Sequence, residues 1–199
     1  MDELVLNDIW DLREYERRRN EYRSWIMERK RNRRVALGDF VTLVFENRDT
    51  VKFQIQEMVR AERMISDEQV QGELDIYNAL IPATGELSAT LFLELVDEES
   101  LRNWLPKLAY IERSIELHLG GEDGNAKVVT CFPEKAHEAM LTREDVTSTV
   151  HYIRFKLEGP DIESLRNGGG TLVANHPYYK ATTELGRQVV DQLLADLSG

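Results

Sequence analysis

The segment 40–65 constrains the fold more than any other part of the chain. It opens with a nearly continuous apolar run at 40–45, which is typical of a strand covered on both faces. The polar cluster that follows contains Asp49, which can accept hydrogen bonds from free backbone amides and is predicted to cap a helix running to about Met64. The sequence therefore predicts a strand, a polar turn and an amphipathic helix in direct succession.

Glu62 falls within the apolar stripe of this predicted helix. At 100° per residue, the stripe consists of Val51, Ile55, Met58, Val59 and Ile65. Because a carboxylate in such a stripe needs a partner, we predict a buried or half-buried acid. Two interpretations remain open. Glu62 is either an acid with a raised pKa or a metal ligand in a site, or one half of a buried ion pair with Arg48 or Arg63.

The charge of the chain is distributed unevenly along its 199 residues. Residues 13–34 contain ten basic and four acidic side chains, which gives this segment a charge of +6. Since the net charge of the chain is −11, the remaining residues carry −17. Opposite charges favour contact of this basic segment with an acidic surface of the same chain, of a second copy or of another partner. The acidic body would repel a polyanion, so nucleic acid is not the predicted partner.

Composition predicts a globular protein that does not enter the membrane, since 42% of residues are hydrophobic and 31% charged. No apolar run approaches the roughly 20 residues that span a bilayer. The first residues lack a basic segment followed by an apolar one, so we expect no signal peptide and a cytoplasmic location. The single cysteine, Cys131, excludes an intrachain disulfide and fits a reducing compartment.

Residues 7–34 are predicted to form a long basic N-terminal helix that is capped by Asn7 or Asp8 and can project from the body. A long helix that is polar over most of its circumference often packs on a partner subunit, so we predict self-association. The residues selected as interaction residues are Arg17, Arg18, Trp25 and Arg29.

Alternating apolar and polar residues predict further strands at 87–95, 114–119, 127–132, 149–157 and 171–174. A glycine-rich turn at 120–125 predicts a hairpin. Further helices are predicted after the capping box that begins at Ser66, after Asp97, at 134–140, from Pro160 and from about Thr183. The predicted fold is α+β, with a mixed or mostly antiparallel sheet of about six strands and packed helices in a single domain, 1–199.

The histidines give weak indications of a site. His151 lies on the apolar face of its predicted strand, and His176 precedes a proline at a strand end, where ligand-binding groups collect but turn stabilisation is equally served. The spacing Glu134-x-x-His137 matches half of the motif of di-iron carboxylate proteins, yet a second copy is missing, so no metal and no cofactor are predicted. The candidate polar site consists of Glu46, Asn47, Arg48, Glu62, His151 and His176.

Several segments carry a resemblance that covers nearly the whole chain: residues 33–38, 41–51, 54–58, 73–78, 150–155 and the pair His176-Pro177. In these segments the chain resembles an uncharacterised bacterial family of about this length, known as a domain of unknown function. The resemblance implies no catalytic residue and no ligand. It implies genes for rubrerythrin-like proteins and iron-sulphur oxidoreductases nearby, and thus a link to redox or peroxide defence by association.

Two functional hypotheses follow. The leading one is a non-enzymatic interaction or accessory protein, a homo-oligomer whose arginine-rich first helix docks on an acidic surface and whose partner is a redox protein. The alternative is an enzyme or small-ligand-binding protein that uses a buried carboxylate near Glu62, with Glu46, Asn47, Arg48 and His151. The first requires an assembly that weakens with salt, and the second requires a pocket where these side chains converge.

Overall fold

The computed structural model describes residues 2–120, 127–135, 141 and 146–198. Within them the helices are α1 (Leu12–Arg31), α2 (Arg48–Ala61), α3 (Asp67–Tyr77), α4 (Glu98–Trp104), α5 (Gly159–Gly168) and α6 (Arg187–Leu197). The strands are β1 (Arg34–Leu37), β2 (Val41–Glu46), β3 (Glu86–Leu93), β4 (Ile115–Leu119), β5 (Lys127–Thr130), β6 (Phe132–Pro133), β7 (Val150–Lys156), β8 (Gly170–His176) and β9 (Tyr179–Glu184). The predicted α+β class is confirmed.

The strands form two antiparallel sheets, with orders β1-β2-β3-β7-β6 and β5-β4-β8-β9. The segment 127–133 contributes to both sheets, because β5 pairs with β4 and β6 pairs with β7. At the other edge, the Thr183 hydroxyl of β9 donates to the Ala36 carbonyl of β1 at 2.8 Å. The two sheets are therefore connected along both sides.

The larger apolar core lies where the two sheets meet. It contains Leu43 and Leu91 from the first sheet, Leu117 and Leu172 from the second, and Leu193 from α6, all of them fully buried. Leu43 lies in the apolar run predicted as a buried strand, the other strand residues belong to the inward set of alternating strands, and Leu193 lies on the apolar face of its helix. Burial therefore follows the sequence pattern.

A second apolar cluster lies between the helices and the outer face of the first sheet. Val51, Ile55 and Val59 of α2 meet Leu74 of α3 there, and Tyr152 of β7 packs against them. α2 contacts both α1 and α3. The prediction of a single domain over residues 1–199 stays a prediction.

The start of α1 differs from the prediction. Asp11 caps the helix, because its carboxylate accepts a hydrogen bond from the backbone amide of Glu14 at 2.8 Å. Asn7 and Asp8, the predicted caps, lie before the helix in a short 3-10 turn (Leu6–Asp8). The helix therefore begins at Leu12, within the predicted segment.

Two strands, β1 and β9, are missing from the sequence prediction. β9 pairs with β8 across a tight turn at Pro177 and Tyr178. Because Thr183 belongs to β9, the terminal helix begins at Arg187 and not at Thr183. Most of the predicted turn at 120–125 and of the predicted helix at 134–140, including His137, lies outside the described residues.

A buried ion pair connects the end of α1 to the terminal helix. The two terminal nitrogens of Arg33 donate to the two carboxylate oxygens of Asp196, at 2.5 and 2.9 Å, and the residues are 3% and 7% exposed. Removing one partner of such a pair leaves an uncompensated buried charge, which typically costs about 3–5 kcal/mol. Arg33 is therefore structural and does not contribute to the basic surface of α1.

Candidate functional site

α1 is fixed on α2 by polar contacts around Glu57. Arg19 donates to both carboxylate oxygens of Glu57 at 2.8 Å, and the Tyr15 hydroxyl donates at 2.5 Å. The hydrogen bonds from Arg19 and Tyr15 lower the pKa of Glu57 below its ordinary value. Tyr15 and Ile26, on the inner face of α1, are fully buried. The opposite side of α1 is thus held rigidly towards solvent.

Three aromatic rings lie in contact along one flank of α1. Tyr22 stacks on Trp25 with ring centroids 5.7 Å apart and meets Trp10 edge-on at 5.0 Å. The guanidinium of Arg29 lies 4.2 Å from the ring centroid of Trp25, and that of Arg18 lies 5.1 Å from Trp10. Such cation–π contacts contribute about 0.5–1 kcal/mol at exposed sites. A cavity of about 350 Å³ is lined by Trp10, Arg18, Glu21, Tyr22 and Trp25.

Several arginines of α1 are exposed without an acidic partner. Arg13, Arg17 and Arg31 share the outward side of the helix, and no carboxylate in the described part of the chain lies within 4.0 Å of their guanidinium nitrogens. Arg18, in contrast, pairs with Glu14 at 2.8 Å. We define the α1 surface as Arg13, Arg17, Arg18, Trp25, Arg29 and Arg31; the exposed acids Glu21 and Glu28 lie among these residues on the helix. All four residues selected from the sequence, Arg17, Arg18, Trp25 and Arg29, thus reach solvent, and their role in binding stays a prediction.

The turn after β2 holds Glu46 and Arg48 in different environments. Glu46 is 3% exposed, and one of its carboxylate oxygens accepts a hydrogen bond from the Thr90 hydroxyl at 2.6 Å. Its other oxygen has no hydrogen-bond partner among the described residues. Arg48 instead points to the surface, where it pairs with Asp8 at 2.7 Å.

Asn47 serves as the cap of α2. Its side-chain oxygen accepts a hydrogen bond from the backbone amide of Thr50 at 3.0 Å, and the Thr50 hydroxyl accepts one from the amide of Asn47 at 2.9 Å. The predicted cap, Asp49, lies within the first turn and comes within 3.7 Å of Arg29 of α1. The carboxylate of Asp49 thus faces the basic helix.

Glu62 is exposed, so the prediction of a buried acid is wrong. α2 ends before Glu62 because Arg63 adopts a left-handed conformation, with φ +54°. The amide of Met64 then donates to the Val59 carbonyl at 3.0 Å, the bond of a Schellman motif, and Met64 is buried against the cluster of Val59. The apolar stripe ends there, and Ile65 is 87% exposed.

Neither interpretation of Glu62 survives in this geometry. No arginine or lysine lies within 4.0 Å of its carboxylate in the described residues, and Arg48, one proposed partner, pairs with Asp8. Glu62 instead lies near another acid. Burial and the nearby charge of Glu62 raise the pKa of Glu73.

His151 is buried and hydrogen-bonded. Its Nε2 lies 2.9 Å from both the Thr147 hydroxyl and the Ser148 carbonyl, and its Nδ1 lies 3.8 Å from the carboxylate of Glu112. Burial lowers the pKa of His151, although the charge of Glu112 opposes this effect. The imidazole is therefore uncharged near neutral pH.

His176 stabilises a turn. Its Nδ1 accepts a hydrogen bond from the backbone amide of Tyr178 at 3.3 Å, which leaves Nε2 as the nitrogen that donates to the Ala109 carbonyl at 3.1 Å. Both ring nitrogens of His176 are thus used by the fold.

The residues of the predicted polar site do not converge. Strand pairing places Glu46 opposite Ser88 on one face of the first sheet, whereas His151 is opposite Leu91 on the other face. His176 belongs to the second sheet, and Glu62 is exposed beyond the end of α2. No single pocket can contain these groups.

Three buried acids were not selected from the sequence: Glu112, Asp161 and Asp196. Glu112 is 1% exposed in a 3-10 turn (Ile111–Arg113). The Cys131 thiol donates to the Glu112 carbonyl at 3.0 Å. Burial raises the pKa of Cys131 to about 12. No periodic pattern marks Glu112, because a single 3-10 turn is too short to show one.

The described residues contain no cluster of three or more histidine, cysteine, aspartate or glutamate side chains that could hold a metal ion. His137 of the Glu134-x-x-His137 spacing lies outside them. None of the helices in the described part of the chain is long and apolar enough to cross a membrane.

Comparison with known proteins supports the resemblance seen in the sequence. The profile of one family, described as "Protein of unknown function (DUF3501)", matches residues 3–197. A crystal structure of a "novel protein of unknown function" from Burkholderia pseudomallei K96243 is similar, with a TM-score of 0.86 and 28% sequence identity over 98% of this chain and 100% of the other. No functionally curated protein matches.

Proposed function

The chain belongs to the DUF3501 family of proteins of unknown function, and we propose that it is a non-enzymatic interaction protein that binds an acidic protein surface through the α1 surface. One observation carries the proposal. Arg13, Arg17 and Arg31 are exposed on a helix that is rigidly held, and they have no acidic partner among the described residues. Unpaired cations on a fixed scaffold favour binding of a complementary anionic surface.

The aromatic flank adds apolar contact area to this charge. Trp25 is 40% and Met27 39% exposed on α1. Tryptophan and arginine are enriched among residues that dominate binding energy at protein interfaces, because they combine a large apolar area with directed hydrogen bonding. We therefore expect Trp25 to anchor the contact and the arginines to orient it.

The partner class forms part of the proposal. The gene neighbourhood that the family resemblance implies, with rubrerythrin-like and iron-sulphur proteins, supports an acidic redox protein in the cytoplasm as the partner. Catalysis or small-ligand binding near Glu62 is not part of the proposal, because Glu62 is exposed and lies apart from Glu46 and His151.

A titration with a defined probe tests the proposal. We expect a fluorescently labelled acidic, amphipathic helical peptide to bind the wild-type protein at low ionic strength. At high ionic strength the affinity should fall at least about tenfold, because salt screens exposed charges. The triple variant Arg13→Gln, Arg17→Gln, Arg31→Gln should weaken binding by a similar factor.

A second triple variant provides the matched control. Arg102→Gln, Arg166→Gln and Arg187→Gln remove the same charge from exposed positions on α4, α5 and α6. This control should bind the peptide as the wild type does. Absence of peptide binding, equal loss in both variants, or tighter binding of a single-stranded DNA oligonucleotide would each contradict the proposal.

A further inference from the structure

A second surface of the chain has the opposite charge. Asp67, Glu68 and Asp75 are exposed along α3, Glu73 of the same helix is half-buried, and Glu62 lies near Glu73. No lysine or arginine in the described residues lies within 4.0 Å of any of these carboxylates. The α3 surface is defined as Glu62, Ile65, Glu68, Glu73, Asp75 and Ile76.

The α3 surface also exposes apolar side chains. Ile65 is 87% and Ile76 49% exposed, although isoleucine is among the residues most often buried. Glu62 and Glu73 are close enough to repel each other, which helps to raise the pKa of Glu73. A cation brought to this surface would relieve that repulsion. Exposed isoleucines beside uncompensated carboxylates are complementary to the exposed Trp25 and unpaired arginines of the α1 surface.

We propose that a second copy of this chain docks its α3 surface on the α1 surface, and that two copies pair reciprocally. The inference rests on the proposed function and adds a second occupant of the α1 surface, so that a second copy and the acidic redox partner compete for it. Charge complementarity argues for a second copy, because Arg13 and Arg17 find no carboxylate in their own chain within the described residues.

Reciprocal pairing gives a closed dimer and not an open chain of copies. α1 and α3 both pack on α2, so one rigid group of helices presents both surfaces. When each copy contributes its α1 surface to one contact and its α3 surface to the other, the pair has twofold symmetry and both surfaces of each copy are used. In such a dimer each α3 surface lies against arginines of an α1 surface.

A charge-swap experiment tests the pairing by sedimentation equilibrium. The α1-reversed variant carries Arg13→Glu, Arg17→Glu and Arg31→Glu, and the α3-reversed variant carries Glu62→Lys, Glu68→Lys and Asp75→Lys. We expect the wild type to dimerise with an affinity that falls with salt, and each reversed variant alone to be monomeric, because both of its surfaces then have the same sign. An equimolar mixture of the two variants should form a heterodimer, since both contacts regain opposite charges.

The control reverses equal charge elsewhere, with Glu99→Lys, Glu163→Lys and Glu184→Lys, and should dimerise as the wild type does. All substituted positions are exposed, and far-ultraviolet circular dichroism verifies the fold of each variant. A mixture that stays monomeric overturns the inference, as does a wild type that is monomeric at low ionic strength. If the wild type is monomeric but still binds the acidic peptide through α1, only the second copy is excluded. If the wild type is monomeric and also fails to bind the acidic peptide, the proposed function is overturned as well.

Discussion

The buried imidazole of His151 links the stability of the protein to pH. Burial lowers its pKa in the folded state, against the opposing charge of Glu112, whereas the unfolded chain has the ordinary histidine pKa of about 6.5. Below that pH the unfolded state binds a proton that the folded state takes up only at lower pH. Acidification through this range therefore favours unfolding.

We predict that the free energy of unfolding falls as the pH is lowered from about 7.5 to about 5.5, with a contribution of up to about 1.4 kcal/mol per pH unit from His151. The substitution His151→Gln removes this contribution. Urea denaturation at several pH values should show that the stability difference between wild type and variant shrinks on acidification. A difference that is constant or grows would show that His151 is not held neutral.

Among the helices, α2 offers a direct comparison of two candidate caps. Asn47→Ala should destabilise the protein by about 1 kcal/mol, within a range of about 0.5–2, because the amide of Thr50 loses its acceptor. Asn47→Asp keeps the acceptor and should cost little. Thermal or urea denaturation of the variants measures both effects.

The control for this cap prediction is Asp49→Ala. Asp49 was the cap expected from the sequence, but in the structure it makes only an exposed contact of 3.7 Å to Arg29. Exposed ion pairs contribute about 0–1 kcal/mol. A larger loss for Asp49→Ala than for Asn47→Ala would contradict the assignment of the cap.

The elements that the sequence predicted are those whose pattern is local. β2 is mostly apolar, and β3, β4 and β7 alternate in sequence, so the face that each turns to the larger core is visible without knowledge of its neighbours. β9 has only Tyr179 as a buried residue and depends on pairing with β8. Glu62 was misjudged for a similar reason. α2 is terminated by the left-handed conformation of Arg63, two residues beyond its end, and an arginine at that position gives no signal of termination, unlike a glycine or an asparagine.

At the scale of the whole molecule, the alternation of apolar and polar residues shows which side of a strand is buried, but it does not show which strand lies beside it. The segment 127–133 reads as one strand, yet it leaves β4 and joins β7 within a few residues. This switch divides the strands into two sheets. It also explains why the predicted polar site was wrong, since Glu46, His151 and His176 belong to different faces or sheets.

Cys131 lies at the point where the chain changes sheets. Its amide donates to the Ile115 carbonyl of β4 at 2.9 Å, while the next residue, Phe132, pairs with Arg154 of β7. The thiol is 5% exposed within the larger core. Because β5 and β6 are edge strands of the two sheets, a reagent can reach the thiol only if the segment 127–133 opens, so Cys131 reports on opening of this connection.

We predict that a thiol-specific reagent labels Cys131 only in molecules that have opened, because burial raises the pKa of the thiol to about 12 and excludes the reagent. The rate should rise with urea in parallel with the unfolded fraction. For comparison, Cys131→Ala combined with Val128→Cys places a thiol on β5 at a position that is 45% exposed, and it should react at least about a hundredfold faster in native buffer. Equal rates for the two proteins would mean that the connection between the sheets opens without global unfolding, and that the shared core is not one cooperative unit.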